Sequence, residues 1–366
     1  MGIPFVDLKA QYKTIKEEID RAVFEVIEST QFIGGKKLET FETNFARYTD
    51  AGYAVGASSG TSALHLAFTA LDIGKGDEVI TASNTFIATT EAITHTGATP
   101  VLVDVDDDTL TIDPEKVEMA ITDRTKAIVP VHLYGQSADM DAIREIARRH
   151  SLKIVTDAAQ AHGASLNGSR KAIQGDATCF SFYPGKNLGA YGEAGMIVTD
   201  DGDLADRMRR LGNHGSADKY THTEVGFNYR LDAIQAAILD VKLEHLDEWN
   251  NRRRSRAKRY DEGLRDRPVR LVPEGPGRHH VYHLYVVRTA DRDRLSEELR
   301  KKGIATGIHY PVPLHLQKAH ADLGSGKGTF PVAERAAKEI LSLPMYAELT
   351  DDMVDEVVAA IADILG

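Results

Sequence analysis

Short apolar runs of strand length alternate with longer amphipathic stretches through the first two thirds of the chain. Runs at residues 53–56, 78–81, 98–103, 127–131, 152–156 and 177–180 are typical of buried strands. Residues 15–27, 37–48, 114–121 and 140–149 instead have the pattern of helices, and so does the stretch that carries Leu64, Ala67, Phe68 and Leu71. This alternation predicts an α/β fold in which a mostly parallel sheet is joined by helical crossovers.

The pattern changes after about residue 245. A charged, helix-like stretch over residues 245–264 is followed by a Pro- and Gly-rich turn at 273–277. A strand at 280–287 and helices at 292–302 and 351–364 follow. We therefore predict a large α/β domain with N-terminal helices over residues 1–245, and a smaller C-terminal α+β domain over residues 246–366.

Two residues in this framework point to chemistry. Lys186 lies in a glycine-flanked turn just after the apolar run at 177–180, and Asp157 ends the strand at 152–156. A loop lysine is commonly a solvated surface charge and a strand-end aspartate a helix cap. Together they suggest pyridoxal phosphate: the lysine would hold the cofactor aldehyde as a Schiff base, and the aspartate would keep the pyridine nitrogen protonated.

A helix start and an aromatic residue extend this interpretation. The run Ser58-Ser59-Gly60-Thr61-Ser62 lies between a strand and a helix, where free backbone N–H groups and the positive helix end suit a phosphate. Phe86 opens the next unit and is placed to stack on a flat ring, although such an aromatic residue, judged alone, is more typical of a core position.

These segments, with residues 181–186 and 226–230, follow one another in the order found in a known family. The chain resembles the DegT/StrS-type pyridoxal phosphate-dependent sugar-nucleotide aminotransferases, and the resemblance runs from residues 3–8 to 309–311 and 343–344. It implies an aspartate-aminotransferase-like fold (fold type I). It also implies a homodimer with shared active sites.

The resemblance assigns a role to each matching position. Lys186 is the catalytic residue, Asp157 pairs with the pyridine nitrogen, and Gln160 approaches the phenolic oxygen of the cofactor. The cofactor-binding residues are Gly60, Thr61, Phe86, Asp157, Gln160, Ser181, Lys186 and Asn228. Asn228 is expected to act in the site of the neighbouring subunit. The substrate-binding residues are Tyr183, Arg230, His309 and Tyr310.

The residues around Lys186 also indicate a substrate. The turn at 183–190 resembles that of enzymes that aminate C3 of keto-6-deoxyhexoses on dTDP, with L-glutamate as donor. UDP-linked 3-keto-uronates and 4-keto sugars are the alternatives. The chain departs from the family where Glu193 and Ala194 replace the usual Asp-Gly. This departure weakens the subgroup assignment and leaves the cofactor assignment unchanged.

Composition narrows the function classes. The 55 acidic and 44 basic residues give a formal net charge of −11, which argues against nucleic acid or an anionic membrane as a partner. Cys179 is the only cysteine, so no intrachain disulfide is expected, and with no signal-like start we expect a cytoplasmic enzyme. No histidine spacing matches a metal-ligand motif, so no metal is expected.

Three alternatives stay open at this point. Residues 56–60 match G-x-S-x-G, which would make Ser58 a hydrolase nucleophile, but residues 1–52 lack the upstream strands that such a fold needs. A regulator that binds pyridoxal phosphate without turnover is the second alternative. The third is a sugar dehydratase of the same fold, but those relatives have histidine where this chain has Lys186.

Overall fold

A seven-stranded sheet forms the centre of the molecule, as seen in a computed structural model that describes residues 2–366. The strands, including five that lie outside this sheet, are β1 (Tyr53–Ala57), β2 (Glu78–Ala82), β3 (Thr99–Val103), β4 (Thr125–Val129), β5 (Lys153–Asp157), β6 (Ser165–Leu166), β7 (Ala177–Ser181), β8 (Gly195–Thr199), β9 (Arg270–Leu271), β10 (Arg278–His279), β11 (Tyr285–Arg288) and β12 (Ile340–Leu343).

The strand order in the central sheet is β1-β8-β7-β5-β4-β2-β3. Strand β8 runs antiparallel to its neighbours β1 and β7, and the remaining pairs are parallel. The predicted α/β fold with a mostly parallel sheet is confirmed. Strands β1, β2, β5 and β7 therefore all end at the same edge of the sheet.

Helices cover both faces of this sheet, which explains why most residues of its strands are buried rather than alternately buried and exposed. The helices are α1 (Leu8–Thr14), α2 (Lys16–Ser29), α3 (Lys36–Tyr48), α4 (Gly60–Ala70), α5 (Ile87–His95), α6 (Pro114–Met119), α7 (Met140–His150), α8 (Gly202–Gly212), α9 (Ala233–Leu264), α10 (Arg292–Lys301), α11 (Pro331–Glu339) and α12 (Asp351–Leu365).

Neighbouring residues of one strand pack into different cores. Val79 and Val155 join the core formed with α4, α5 and α8, whereas Ile80 and Ile154 join the core formed with α3, α6, α7 and α9. This alternation follows from the two-residue period of a strand.

The C-terminal part of the chain forms a second, three-stranded antiparallel sheet in the order β12-β11-β9. Helices α10 and α12 and the end of α9 pack on it in a separate core. None of the helices within residues 2–366 is long and apolar enough to cross a membrane.

Two local predictions differ from the structure. The stretch at 245–264 is the second half of α9, and the apolar residues of its first half pack against α2 and α3. The strand predicted at 280–287 forms only at β11, because the preceding backbone bonds elsewhere: the Val281 and Leu284 N–H groups donate to Gly135 and Tyr134. Helix α9 passes through residue 245, so both parts of the chain share it, and the division there stays a prediction.

Candidate active site

The predicted cofactor residues come from different strands but lie at one edge of the sheet. Asp157 is the last residue of β5 and Ser181 the last of β7, while Gly60 begins α4 and Phe86 caps α5. Helices that follow parallel strands begin at the carboxyl edge of the sheet, which is where ligands bind in such folds. The topology therefore brings together residues that are far apart in sequence.

A cavity of about 560 Å³ opens at this edge. It is lined by every predicted site residue except Asn228 and Arg230, namely Gly60, Thr61, Phe86, Asp157, Gln160, Ser181, Tyr183, Lys186, His309 and Tyr310. Among the described residues that line it, Lys186 is the one lysine or arginine. A single chain thus supplies this cavity with one strong cation.

Asp157 lies at the base of the cavity and is buried. Its Oδ2 accepts a hydrogen bond from Thr89 Oγ1 at 2.8 Å, and its Oδ1 accepts one from the Ala159 N–H at 3.1 Å. Burial raises the pKa of Asp157, against the opposing effects of these two donors and of Lys186. A carboxylate fixed in this way fits a protonated ring nitrogen, which would supply the positive partner it lacks.

Lys186 faces the same cavity from the turn after β7. Its own N–H donates to the Tyr183 carbonyl at 2.8 Å, which fixes the turn. The side chain is half-buried, because one side of it faces the cavity. Burial lowers the pKa of Lys186 to about 8, although Asp157 pulls it upward. A larger neutral fraction near neutral pH makes this amine a better nucleophile and base than a surface lysine.

This shift predicts a measurable reactivity. Lysines react with acetic anhydride only as neutral amines, so labelling of Lys186 in the cofactor-free protein should reach half its maximum near pH 8, not near the ordinary 10.5. Competitive labelling across a pH series, read by peptide mass mapping with the other lysines as internal references, measures it. A midpoint near the ordinary lysine value would contradict the desolvated position of this side chain.

The helix start at Gly60 fits a phosphate. Ser59 accepts the Ser62 N–H in a capping box, and within residues 2–366 the N–H groups of Gly60 and Thr61 have no acceptor. A Cβ on Gly60 would lie 2.6 Å from the Ser181 Cβ, so only glycine permits this close approach. Free N–H groups and the positive end of α4 are features that favour an anion, and Gly60, Thr61 and Ser181 line the same cavity as Lys186.

Gln160 and the aromatic residues form another wall of the cavity. Gln160 accepts the Tyr134 N–H at 2.6 Å and donates to Tyr310 Oη at 3.2 Å. The Phe86 ring centroid lies 5.6 Å from that of Tyr310, and Phe86 is 53% exposed. Its exposure excludes a core role, and the residue lines the cavity.

Two histidines line the cavity near Lys186. Burial and the nearby Lys186 lower the pKa of His309 to about 4 and hold that of His283 well below its usual range. Both are therefore neutral at physiological pH. His309 Nδ1 lies 2.9 Å from Ser342 Oγ, and its ring stacks on Phe5 at 5.6 Å, so the far C-terminal and N-terminal segments fix its orientation.

Asn228 and Arg230 lie outside the cavity of their own chain. Asn228 is exposed, and Arg230 Nη1 donates to Asn213 Oδ1 at 3.2 Å. The fold of one chain does not bring them to Lys186. Their predicted roles in a neighbouring subunit's site stay predictions.

Thr89 and His283 belong to the site although the sequence patterns do not predict them. Thr89 lies one turn after Thr85 in the segment that was assigned only for Phe86, and its hydroxyl holds Asp157. His283 matches no ligand spacing or family motif in the sequence, yet it lines the cavity. Ser58, the nucleophile of the hydrolase alternative, has its hydroxyl 3.0 Å from Ser62 Oγ rather than next to a histidine.

Known proteins are similar to this chain over nearly its whole length. Residues 13–362 match the model of the DegT/DnrJ/EryC1/StrS aminotransferase family. A Geobacillus stearothermophilus protein named "Pleiotropic regulatory protein" is 48% identical, with 99% of this chain and 98% of that protein covered. The dTDP-3-amino-3,4,6-trideoxy-alpha-D-glucose transaminase of Streptomyces venezuelae is also 48% identical, with 99% and 96% covered.

A solved structure extends the likeness to the fold. The crystal structure of Bacillus subtilis NtdA with bound cofactor PMP matches with a TM-score of 0.93 at 34% identity, covering 100% of this chain and 85% of that one. The predictions of a fold type I aminotransferase and of a pyridoxal phosphate cofactor are confirmed. The chain belongs to the DegT/DnrJ/EryC1/StrS aminotransferase family.

Proposed function

We propose that this aminotransferase moves the amino group of L-glutamate to C3 of a dTDP-linked 3-keto-6-deoxyhexose. The observation that carries the chemistry is the desolvated Lys186 amine in one cavity with the buried Asp157 carboxylate and the open helix start at Gly60. The substrate is supported by the Streptomyces venezuelae transaminase, which shares 48% of its sequence over nearly the whole chain.

The cavity residues have a place for each part of the cofactor. When bound, pyridoxal 5′-phosphate supplies an aldehyde that carries the amino group and a conjugated ring that accepts electrons. Lys186 would hold it covalently and Asp157 would bind the ring nitrogen. Gly60, Thr61 and Ser181 would hold the phosphate, and Phe86 would lie against the ring.

Lys186 performs the proton transfers. With glutamate bound, the neutral Nζ of Lys186 would take the proton from the α-carbon of the donor. In the second half of the reaction it returns a proton to C3 of the sugar. The same amine serves both halves because burial lowers its pKa to about 8, so both of its protonation states are populated near neutral pH.

We further propose that the enzyme is a homodimer in which Asn228 and Arg230 complete the partner's site. The two carboxylates of glutamate and the diphosphate of the nucleotide need cations, but Lys186 is the one strong cation among the described residues that line the cavity. The segment before Asn228 also carries Tyr220 and Val225, which are 81% and 94% exposed. Such apolar exposure is typical of a surface that a partner covers.

Mixing two inactive variants tests this arrangement. Lys186→Ala and Asn228→Ala chains should each be impaired alone, but a dimer with one chain of each contains one intact site if Asn228 acts across the interface. Random exchange of chains should then restore about one quarter of the wild-type activity. If Asn228 acts in its own chain's site, or if the protein is a monomer, mixing restores nothing.

Spectroscopy and a substrate panel test the function itself. Adding L-glutamate to the purified, cofactor-loaded protein should remove the absorbance of the lysine-linked cofactor, whereas an inert binder would show no change. The aminated enzyme is then given dTDP-3-keto-6-deoxyhexose, a UDP-3-keto-uronate and a dTDP-4-keto sugar. We expect the first to be aminated fastest; a faster reaction with either of the others would overturn the substrate assignment.

A further inference from the structure

Helix α9 carries a lysine in the interior of the protein. Lys242 is 0% exposed, and no carboxylate among residues 2–366 forms an ion pair with it; Glu348 attracts it only from a distance. Burial lowers the pKa of Lys242 to about 7. Burying an amine without an ion-pair partner costs free energy of folding. The contacts of Lys242 indicate which part of the structure it serves.

The contacts of Lys242 lie at the turn that carries Lys186. Its Nζ donates to the Gly189 carbonyl at 2.7 Å and lies 4.1 Å from the centroid of the Tyr191 ring. Gly189 itself packs so tightly against the start of the turn that a Cβ would lie 2.3 Å from the Pro184 carbonyl oxygen. A displacement of Gly189 would therefore be passed to the whole turn.

A second side chain of α9 holds the same turn. The Asn187 Nδ2 donates to Asn250 Oδ1 at 2.8 Å and to the Val281 carbonyl at 2.9 Å. Lys242 and Asn250 are eight positions apart, about two helical turns, and so lie on the same face of α9. The helix thus fixes the residue next to Lys186 and the residue that ends its turn.

We propose that Lys242 is a positioning residue for Lys186: its hydrogen bond to Gly189 sets the turn so that the Lys186 amine faces the cavity in its desolvated place. This role depends on the proposed covalent function of Lys186 and not on the identity of the sugar. The contact needs an N–H donor and not a charge, because an amine and an ammonium both donate to a carbonyl.

Two variants distinguish the hydrogen bond that Lys242 donates from the space that its side chain fills. Lys242→Met keeps the length and apolar stem but cannot donate, and replacing a buried charge with an apolar group is commonly neutral or stabilising. Lys242→Gln keeps an N–H donor. Both are read by the rate of covalent attachment of pyridoxal 5′-phosphate to the cofactor-free protein and by the pH midpoint of Lys186 labelling, neither of which needs a sugar substrate.

We expect attachment in Lys242→Met to be about 10- to 100-fold slower, the range for a displaced reacting group, and the labelling midpoint of Lys186 to rise toward the ordinary lysine value. Lys242→Gln should stay within about fivefold of wild type. Wild-type behaviour of the methionine variant, or equal impairment of both variants, would overturn the proposal. If the methionine variant does not fold, Lys242→Leu, which also lacks a donor, takes its place: slower attachment than in the glutamine variant supports the role, and equal attachment in the two overturns it.

These readouts keep this inference separate from the proposed function. If the protein does not aminate a dTDP-linked sugar, attachment and labelling still report the position of Lys186. If Lys186 does not hold the cofactor at all, wild-type protein itself fails the attachment assay, which refutes the proposed function before the variants are compared.

Discussion

Replacing Lys186 with alanine is expected to lower kcat for transamination by about 10⁴-fold, the upper end for a group that transfers protons. The size of the effect follows from two losses, because the variant has neither the covalent link to the cofactor nor the base that acts at the α-carbon. Asp157, Phe86 and the helix start at Gly60 are unchanged, so weak non-covalent cofactor binding should persist. Single-turnover kinetics with glutamate and cofactor titration measure both.

The matched control is Lys258→Ala. Lys258 lies on α9 with its side chain 79% exposed, so its removal should leave kcat unchanged. Lys186→Arg keeps a positive charge but cannot lose a proton in the working range, so it should be as inactive as the alanine variant. Appreciable turnover by Lys186→Ala would refute the assigned role.

Asp157→Asn is expected to lower kcat by about 10²- to 10³-fold, as when one preorganised electrostatic partner is removed from an active site. The neutral amide cannot stabilise a proton on the ring nitrogen, so the ring accepts electrons less well. The wild-type carboxylate is already fixed by Thr89 and Ala159. Rapid mixing with glutamate measures the step directly, and thermal unfolding checks that the variant is folded.

Two further experiments separate charge from structure at Asp157. Thr89→Val keeps the carboxylate but removes one of its hydrogen-bond donors, which raises the pKa of Asp157 further. We expect this variant to lower kcat about tenfold. Asp157→Ala reconstituted with a cofactor methylated on its ring nitrogen should regain activity, because that nitrogen is permanently positive. An Asp157→Asn enzyme with wild-type kcat would show that the ring does not need this partner.

Local pattern predicted the elements that depend on neighbouring residues. The strand before Asp157 and the turn around Lys186 are encoded in short stretches, and both form where expected. The order of the strands is not local. Tyr53 pairs with Thr199 across β1 and β8, a contact between residues far apart in sequence, and nothing in either stretch alone specifies it.

The residues that the sequence patterns do not predict are likewise brought to the site by contacts between distant parts of the chain. The contact between Thr89 and Asp157 exists because β4 lies between β2 and β5 and α5 begins at their shared edge. The hydrogen bond from Lys242 to Gly189 depends on where the 32-residue helix α9 packs against the rest of the fold. Asn228 and Arg230 cannot be placed from one chain, because it leaves both outside its own cavity.

The proposed chemistry depends on a covalent link between the cofactor and Lys186, which borohydride reduction makes permanent and detectable. Purified protein loaded with pyridoxal 5′-phosphate is reduced, digested and mapped by mass spectrometry, with Lys186→Ala treated in parallel. We expect the cofactor mass on the peptide that contains Lys186 and on no peptide of the variant. Cofactor on another lysine, or none in the wild-type protein, would contradict it.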